Sequence, residues 1–328
     1  MDLQQRTRRF GIYVILCAVL LRLSAAGAPQ KLLQWMTAEE QLPFLIYLET
    51  GRNVRFSDST DTFLDFFRES PPPARQERPR FAAEDAEGVQ VCYSCKFRPD
   101  LEALMACPLD WDLTGKEPAV LILHTHATES YTKEGENYEE SSAYRTLDEG
   151  YNMLSIGDVV AEMLEAAGIA VIHDRQLHDY PSYNGSYIHA RHTISELLKQ
   201  YPGVQLVLDL HRDAAGDGRN QLRTEAEVEG KTSAQLMFVV GTNASGQTHD
   251  AWEDNLALAL KLQAQLERQA PGIIRPLNLR AQRFNQDLSP GALLVEVGAA
   301  GNTRTEALVA AEQLAQAIIA LSRGAETE

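Results

Sequence analysis

Four cysteines in 328 residues are too few for a disulfide scaffold, and one of them, Cys17, falls in an apolar segment. Basic residues are also scarce: 30 Lys and Arg stand against 46 Asp and Glu, a net charge of −16. A protein that reads a nucleic-acid backbone needs a basic face to displace counterions, so that class is set aside. Internal repeats and heptad runs are missing, which removes solenoids and coiled coils. Cys92-Tyr-Ser-Cys95 has the spacing of a redox pair or half a zinc knuckle, but no second such pair follows it. A packed or bridged pair is the simpler reading. What remains, at 44 % apolar and 23 % charged residues, is ordinary globular composition long enough for one large domain or two modest ones.

The chain opens with Arg6, Arg8 and Arg9 before an apolar run from Phe10 to Leu21, which is interrupted by Arg22 and resumes through Ala28. A secretory signal and a membrane anchor share this layout. Pro29 just after the small residues opposes cleavage, and with Arg22 able to snorkel the stretch approaches the roughly 20 residues that span a bilayer. The expectation is therefore a single-pass anchor over residues 1–28, with the basic flank inside and everything after it outside the cell. Residues 29–115, ending their first part in Ser70-Pro-Pro-Pro73, read as a stalk or linker with little core of its own.

The pattern changes at Pro118-Ala-Val-Leu-Ile-Leu-His124, a continuous apolar run of the kind buried on both faces of a parallel sheet. Helical periodicity follows at Met153–Ala167, a strand at Ile169–His173, a helix around Tyr187–Gln200 and a strand at Val204–Leu210. Beyond these come a strand at Leu236–Val240, a helix at Trp252–Gln269, a strand at Ala292–Val297 and a helix at Arg304–Ser322. Strands alternating with helices specify an α/β domain over residues 116–328, with a mostly parallel sheet flanked by helices. Ligands of such sheets gather at the carboxyl ends of the strands.

Polar groups stand where these apolar strands end: His124 and His126 after the first, His211 after Leu210, and Glu296 inside Leu293-Leu-Val-Glu-Val297. His126-Ala-Thr-Glu129 is an HxxE spacing, which turns imidazole and carboxylate to one side of a single turn. His211 would add a third ligand, leaving the fourth position of a tetrahedral zinc open, as catalytic sites require. A carboxylate off the metal must move the water's proton, and Glu296 in its apolar strand suits that task because burial raises its pKa. The competing reading of Glu296 is an ion pair with Arg212 or Arg283. Asp209 or Asp213 is expected to fix the tautomer of His211. Arg212 is a candidate to stabilise the oxyanion, and Glu149 is an alternative to Glu129 as the third ligand. The loop His178–Asn184 is expected to line a cleft.

The strings His124-Thr-His-Ala-Thr-Glu-Ser-Tyr131, His178-Asp-Tyr-Pro-Ser-Tyr-Asn184, Asp209-Leu-His-Arg-Asp-Ala214, Phe238-Val-Val-Gly-Thr-Asn243, Phe284-Asn-Gln-Asp-Leu-Ser-Pro290 and Leu294-Val-Glu-Val-Gly298 together resemble the stage II sporulation protein P family. The resemblance covers about residues 118–323 and agrees with an N-terminal anchor. It implies a fold similar to N-acetylmuramoyl-L-alanine amidases and a zinc-dependent hydrolase of peptidoglycan that removes stem peptides from glycan and cuts peptide cross-links. It further implies action at the septal membrane during engulfment, alongside stage II sporulation proteins D and M. Carried over position by position, it implies metal binding at His126 and His211, with His124 as a further candidate, and the catalytic carboxylate at Glu296. Amidases of similar fold take a glutamate farther along than Glu129, which keeps Glu149 open. Lys133–Glu140, the stalk and the CxxC have no counterpart in the resemblance.

Two other classes fit parts of the pattern. A zinc carboxypeptidase acting on free peptides would need a basic clamp, for which Arg191 and Arg283 are candidates. A metal-free wall-binding scaffold would have no use for a buried, unpaired Glu296.

Overall fold

The computed structural model describes residues 79–109, 112–133, 144–214 and 221–322. The expected anchor and most of the expected stalk lie outside these residues. Among the described residues no helix is long and apolar enough to cross a membrane.

Seven strands form one sheet in the order β1-β8-β7-β9-β4-β2-β3. They are β1 (Val91–Ser94), β2 (Val120–Leu123), β3 (Val171–His173), β4 (Leu206–Asp213), β7 (Leu236–Gly241), β8 (Leu277–Arg280) and β9 (Ala292–Ala299). Every neighbouring pair is parallel except β7 with β9, so the sheet is mostly parallel as the alternating pattern predicts. All four residues of β2 are shielded from solvent. That follows from helices on both faces, which leave the strand no polar side.

Alternate residues of β2 divide the core. Val120 and Ile122 face the larger cluster, with side chains from α2 (Met153–Ala166), α4 (Trp252–Gln269) and α5 (Arg304–Ser322). Leu121 and Leu123 face a smaller one built with Ala190 and Ile194 of α3 (Ser186–Gln200). Two of the helices begin where a side chain satisfies their free amides. The Asn152 side chain accepts from Leu154 N–H at 3.0 Å to start α2. At α5, Glu306 N–H donates to Thr303 Oγ1 at 3.3 Å while Thr303 N–H donates back to the Glu306 carboxylate at 3.2 Å, a reciprocal capping box.

The structure moves the expected domain boundary. Residues 91–106 are not stalk: β1 pairs with β8 from Val91↔Leu277 to Ser94↔Arg280, and α1 (Leu101–Ala106) buries Met105 in the main cluster. A four-residue edge strand whose side chains alternate between half-buried and exposed carries too weak an apolar pattern to stand out locally. A small antiparallel hairpin, β5 (Glu225–Val228) and β6 (Lys231–Ala234), also has no place in the sequence reading. Its two-residue turn, Glu229-Gly230, takes positive φ at both positions, 50° and 77°. Cys92, Cys95 and Cys107 are free thiols.

Candidate functional site

The carboxyl ends of β2, β4 and β9 are adjacent, because β4 lies between the other two. The chain leaving β2 makes a tight turn in which Glu129 N–H donates to His126 O at 3.1 Å, so both side chains emerge from one turn as their spacing suggests. On β4, His211 stands in register with Glu296 of β9, and the pairing shifts through a bulge between His211 and Asp213. Neighbours in register on parallel strands present their side chains to the same face, which sets Glu296 beside His211.

The structure therefore brings His126, Glu129, His211 and Glu296 into one cluster. His211 Nδ1 is 3.5 Å from Glu129 Oε2, and the His126 and His211 rings meet edge to face with centroids 5.2 Å apart. His211 Nε2 lies 2.9 Å from Asp209 Oδ1, off the line of an ideal hydrogen bond. Asp209 is anchored in turn, accepting from Thr125 N–H at 2.7 Å and Thr125 Oγ1 at 2.6 Å. Asp213 does not take the orienting role; it pairs with Arg275 at 2.9 Å.

Burial and charge set the protonation of the cluster. Desolvation drives the His126 imidazole down to about 4, and His211 pushes the same way. Burial opposes ionisation of Glu129, yet the bond from His211 and the charge of Arg212 outweigh it and bring the carboxyl to about 2. Burial likewise works against a charged His211, but Asp209 and Glu129 hold its pKa well above the usual range. Glu296 goes the other way: desolvation, with Glu129 and Asp213 adding repulsion, pushes it up to about 8. The Glu296 residue is only partly shielded from solvent, while its Oε2 is buried and has no hydrogen-bond partner. Neither Arg212 nor Arg283 forms an ion pair with it.

A second set of residues clasps the turn. Arg145 reaches Asp179 at 2.6 Å and Glu129 at 3.3 Å, and its guanidinium sits 4.7 Å from the centre of the Tyr183 ring. Asp179 accepts from Thr128 N–H at 3.2 Å and from Thr128 Oγ1 at 2.5 Å. Tyr183 stacks on His126, centroids 4.6 Å apart, and its hydroxyl lies 3.3 Å from His126 Nε2. The loop His178–Asn184 thus reaches the cluster through Asp179 and Tyr183. Nothing in the sequence singles out Arg145, whose partners are 16 and 34 residues away.

Other candidates are placed elsewhere. His124 turns from the cluster, with Nδ1 on Leu210 O at 3.0 Å and Nε2 on His173 Nε2 at 2.9 Å. A side chain at position 157 would collide with both rings, its Cβ 2.5 Å from His173 Nε2 and 2.6 Å from His124 Nε2, which is why glycine stands there. Glu149 is exposed and paired with Arg175 at 2.7 Å, outside the cluster. Arg212 does not open toward a substrate; it is buried, donating to Ser130 O and Tyr144 O at 2.9 Å each, and its own N–H reaches Glu129 Oε2 at 3.3 Å. Its place is to hold Glu129. Arg191 and Arg283 both bind Asp287, at 2.7 and 3.2 Å, so neither is an open clamp for a terminal carboxylate.

No three His, Cys, Asp or Glu side chains among the described residues are already gathered as a metal cage. The donor chemistry fits a cation all the same. His126 Nδ1 is buried without a partner, and His211 stands between the carboxylates of Asp209 and Glu129, nitrogen and oxygen donors of the kind that hold zinc.

Comparison with known proteins places these residues in context. A curated relative, stage II sporulation protein P of Bacillus subtilis (strain 168), is 27 % identical over 254 residues, which is 73 % of this chain and 58 % of that one. The chain thus spans less than two thirds of the length of that relative. Among solved structures, the CwlD amidase from Clostridioides difficile in complex with the GerS lipoprotein is 15 % identical, with TM-score 0.36 over 61 % of this chain and 94 % of that one. The apo N-acetylmuramyl-L-alanine amidase Ami1 from Mycobacterium abscessus is 13 % identical, with TM-score 0.36 over 62 % and 97 %. The family model of stage II sporulation protein P matches residues 65–319, which include every strand and all but the last turn of the described fold, and the chain belongs to that family.

Proposed function

We propose that this domain is a cell-wall hydrolase that cleaves the N-acetylmuramoyl-L-alanine amide and peptide cross-links of peptidoglycan, with zinc held by His126, Glu129 and His211. Membership of the family and the gathering of His126, Glu129, His211 and Glu296 in one cluster support the reading. The observation that carries it is Glu296: a carboxyl pushed up to about 8, in register with His211, with one oxygen shielded and unpartnered. A carboxyl whose pKa lies near the working pH is suited to accept and return a proton. A scaffold gains nothing from it.

Bound zinc supplies Lewis acidity that polarises a carbonyl and lowers the pKa of water to about 7. The chain's own residues do the rest. Glu296 takes a proton as water adds to the amide carbonyl carbon, then delivers it to the nitrogen as the C–N bond breaks. Asp209 holds His211 in orientation from behind, while Arg212 and Arg145 hold Glu129. Family resemblance extends the proposal to an anchor at Phe10–Ala28, an extracytoplasmic domain at the septal membrane during engulfment, and stage II sporulation proteins D and M as partners.

The test is hydrolysis of purified peptidoglycan with zinc, with chelator and with Glu296→Ala. Release of stem peptides abolished by both chelator and substitution supports the reading. Binding to the wall without cleavage under any metal condition, even with the D-type partner added, favours a scaffold.

A further inference from the structure

Five large apolar side chains are exposed among the described residues: Ile188 at 73 %, Tyr180 and Tyr183 at 54 %, Leu147 at 50 % and Tyr151 at 36 %. All lie within two short segments, 147–151 and 180–188, although the described fold offers surface all round. Both segments are fastened to the turn that carries His126 and Glu129. Thr146 N–H donates to Thr128 O at 2.8 Å and Met153 N–H to Ala127 O at 3.2 Å, which bracket Leu147 and Tyr151. From the other segment, Asp179 binds Thr128, and Tyr183 lies on His126 with the Arg145 guanidinium 4.7 Å from its ring centre. Scattered exposed hydrophobics need no explanation, but a set confined to the two segments fastened to this turn does.

We propose that Tyr180, Ile188, Leu147 and Tyr151 form a platform for an N-acetylated sugar ring of the substrate, with Tyr183 as its inner edge, so that the site reads glycan as well as peptide. This rests on the hydrolase reading above. Chemistry selects the occupant. Stem peptides carry carboxylates, and a chain of net charge −16 offers them no long-range attraction. In the intact wall the N-acetylated sugar is uncharged, its lactyl carboxyl being tied up in the amide, and its C–H faces and acetyl methyl suit exposed tyrosine rings and aliphatic side chains. The amide to be cut joins peptide to sugar, so a ring held at the lip sets the bond over the cluster.

The test compares wild-type protein with Tyr180→Ala/Ile188→Ala, Leu147→Ser/Tyr151→Ala and the ring-preserving Tyr180→Phe. The probes are chitin as a stripped, carboxylate-free N-acetylated glycan, intact peptidoglycan, and a sugar-free cross-linked stem peptide. We expect wild-type protein to sediment with stripped glycan, each double variant to bind it about tenfold more weakly, and Tyr180→Phe to bind nearly as wild type. On intact wall the double variants raise KM with kcat within about twofold, and cleavage of the sugar-free peptide is unchanged. Unaltered glycan binding and KM overturn the inference. So does an equal loss on the sugar-free peptide, which would mean a peptide groove, or a defect seen only with a protein partner present, which would mean a docking face for that partner. If wild-type protein cuts nothing yet binds stripped glycan through these residues, the platform stands and the hydrolase reading fails.

Discussion

Replacing Glu296 by glutamine should make the metal-free protein more stable while it destroys activity. The carboxyl is held at about 8 in the folded protein against an ordinary 4.5. A group whose folded pKa is raised supports the fold fully below its unfolded pKa and withdraws that support as pH rises through the folded value, here between 4.5 and about 8. At 1.4 kcal/mol per pH unit the whole interval is worth about 5 kcal/mol. Because the residue is only partly shielded from solvent, water screens some of the charge, and about 2–4 kcal/mol is the expected cost at pH 8. Glutamine has nearly the same shape and no charge, so it avoids this cost. Urea unfolding with chelator present should show Glu296→Gln more stable than wild type by that amount at pH 8 and equal to it near pH 4. Hydrolysis of peptidoglycan with zinc should fall by about 10²–10⁴. A variant that is less stable than wild type at pH 8, or whose stability difference does not change with pH, would refute the picture of an uncompensated buried carboxyl.

Zinc content after equilibrium dialysis should drop for His126→Ala and Glu129→Gln and stay at the wild-type level for Glu149→Gln, which separates the two candidate third ligands by a readout independent of catalysis. Asn152→Ala removes the cap of α2 and should lower stability by about 1 kcal/mol in urea unfolding. Gly157→Ala must displace the His124 and His173 rings from the helix, at about 1–3 kcal/mol by the same assay. The Glu306 carboxyl is held low: burial opposes its ionisation, but bonds from Arg223, Asn302 and the Thr303 backbone prevail. Its stabilisation is therefore present above the ordinary carboxylate pKa and lost as pH falls through the lower folded value. Glu306→Gln should be less stable than wild type at pH 7, with the difference closing on acidification toward pH 3.

How much of this was legible without coordinates depended on the range of the interactions. Strand and helix assignments from Pro118 onward rest on apolar periodicity, a property of neighbouring residues, and the helices at 252–269 and 304–322 agree with α4 and α5 to the residue. The His126-to-Glu129 spacing needed only one turn of chain. The hairpin at 225–234 and the strands β1 and β8 are short, and the edge strand β1 finds its partner 186 residues away, so their own sequences carry little of the pairing.

The sequence by itself determined the α/β class, the strand ends that would bear polar groups, and the family. Which of two aspartates orients His211, that Glu129 and not Glu149 faces it, that Arg212 is spent on Ser130 and Tyr144, and that Arg145 and Tyr183 close over the turn were decided by tertiary structure alone. The physical reason is that periodicity tells a side chain which face of its own element it occupies. Its partner is chosen by how distant segments cross, and buried charge is costly unless that crossing brings it a partner.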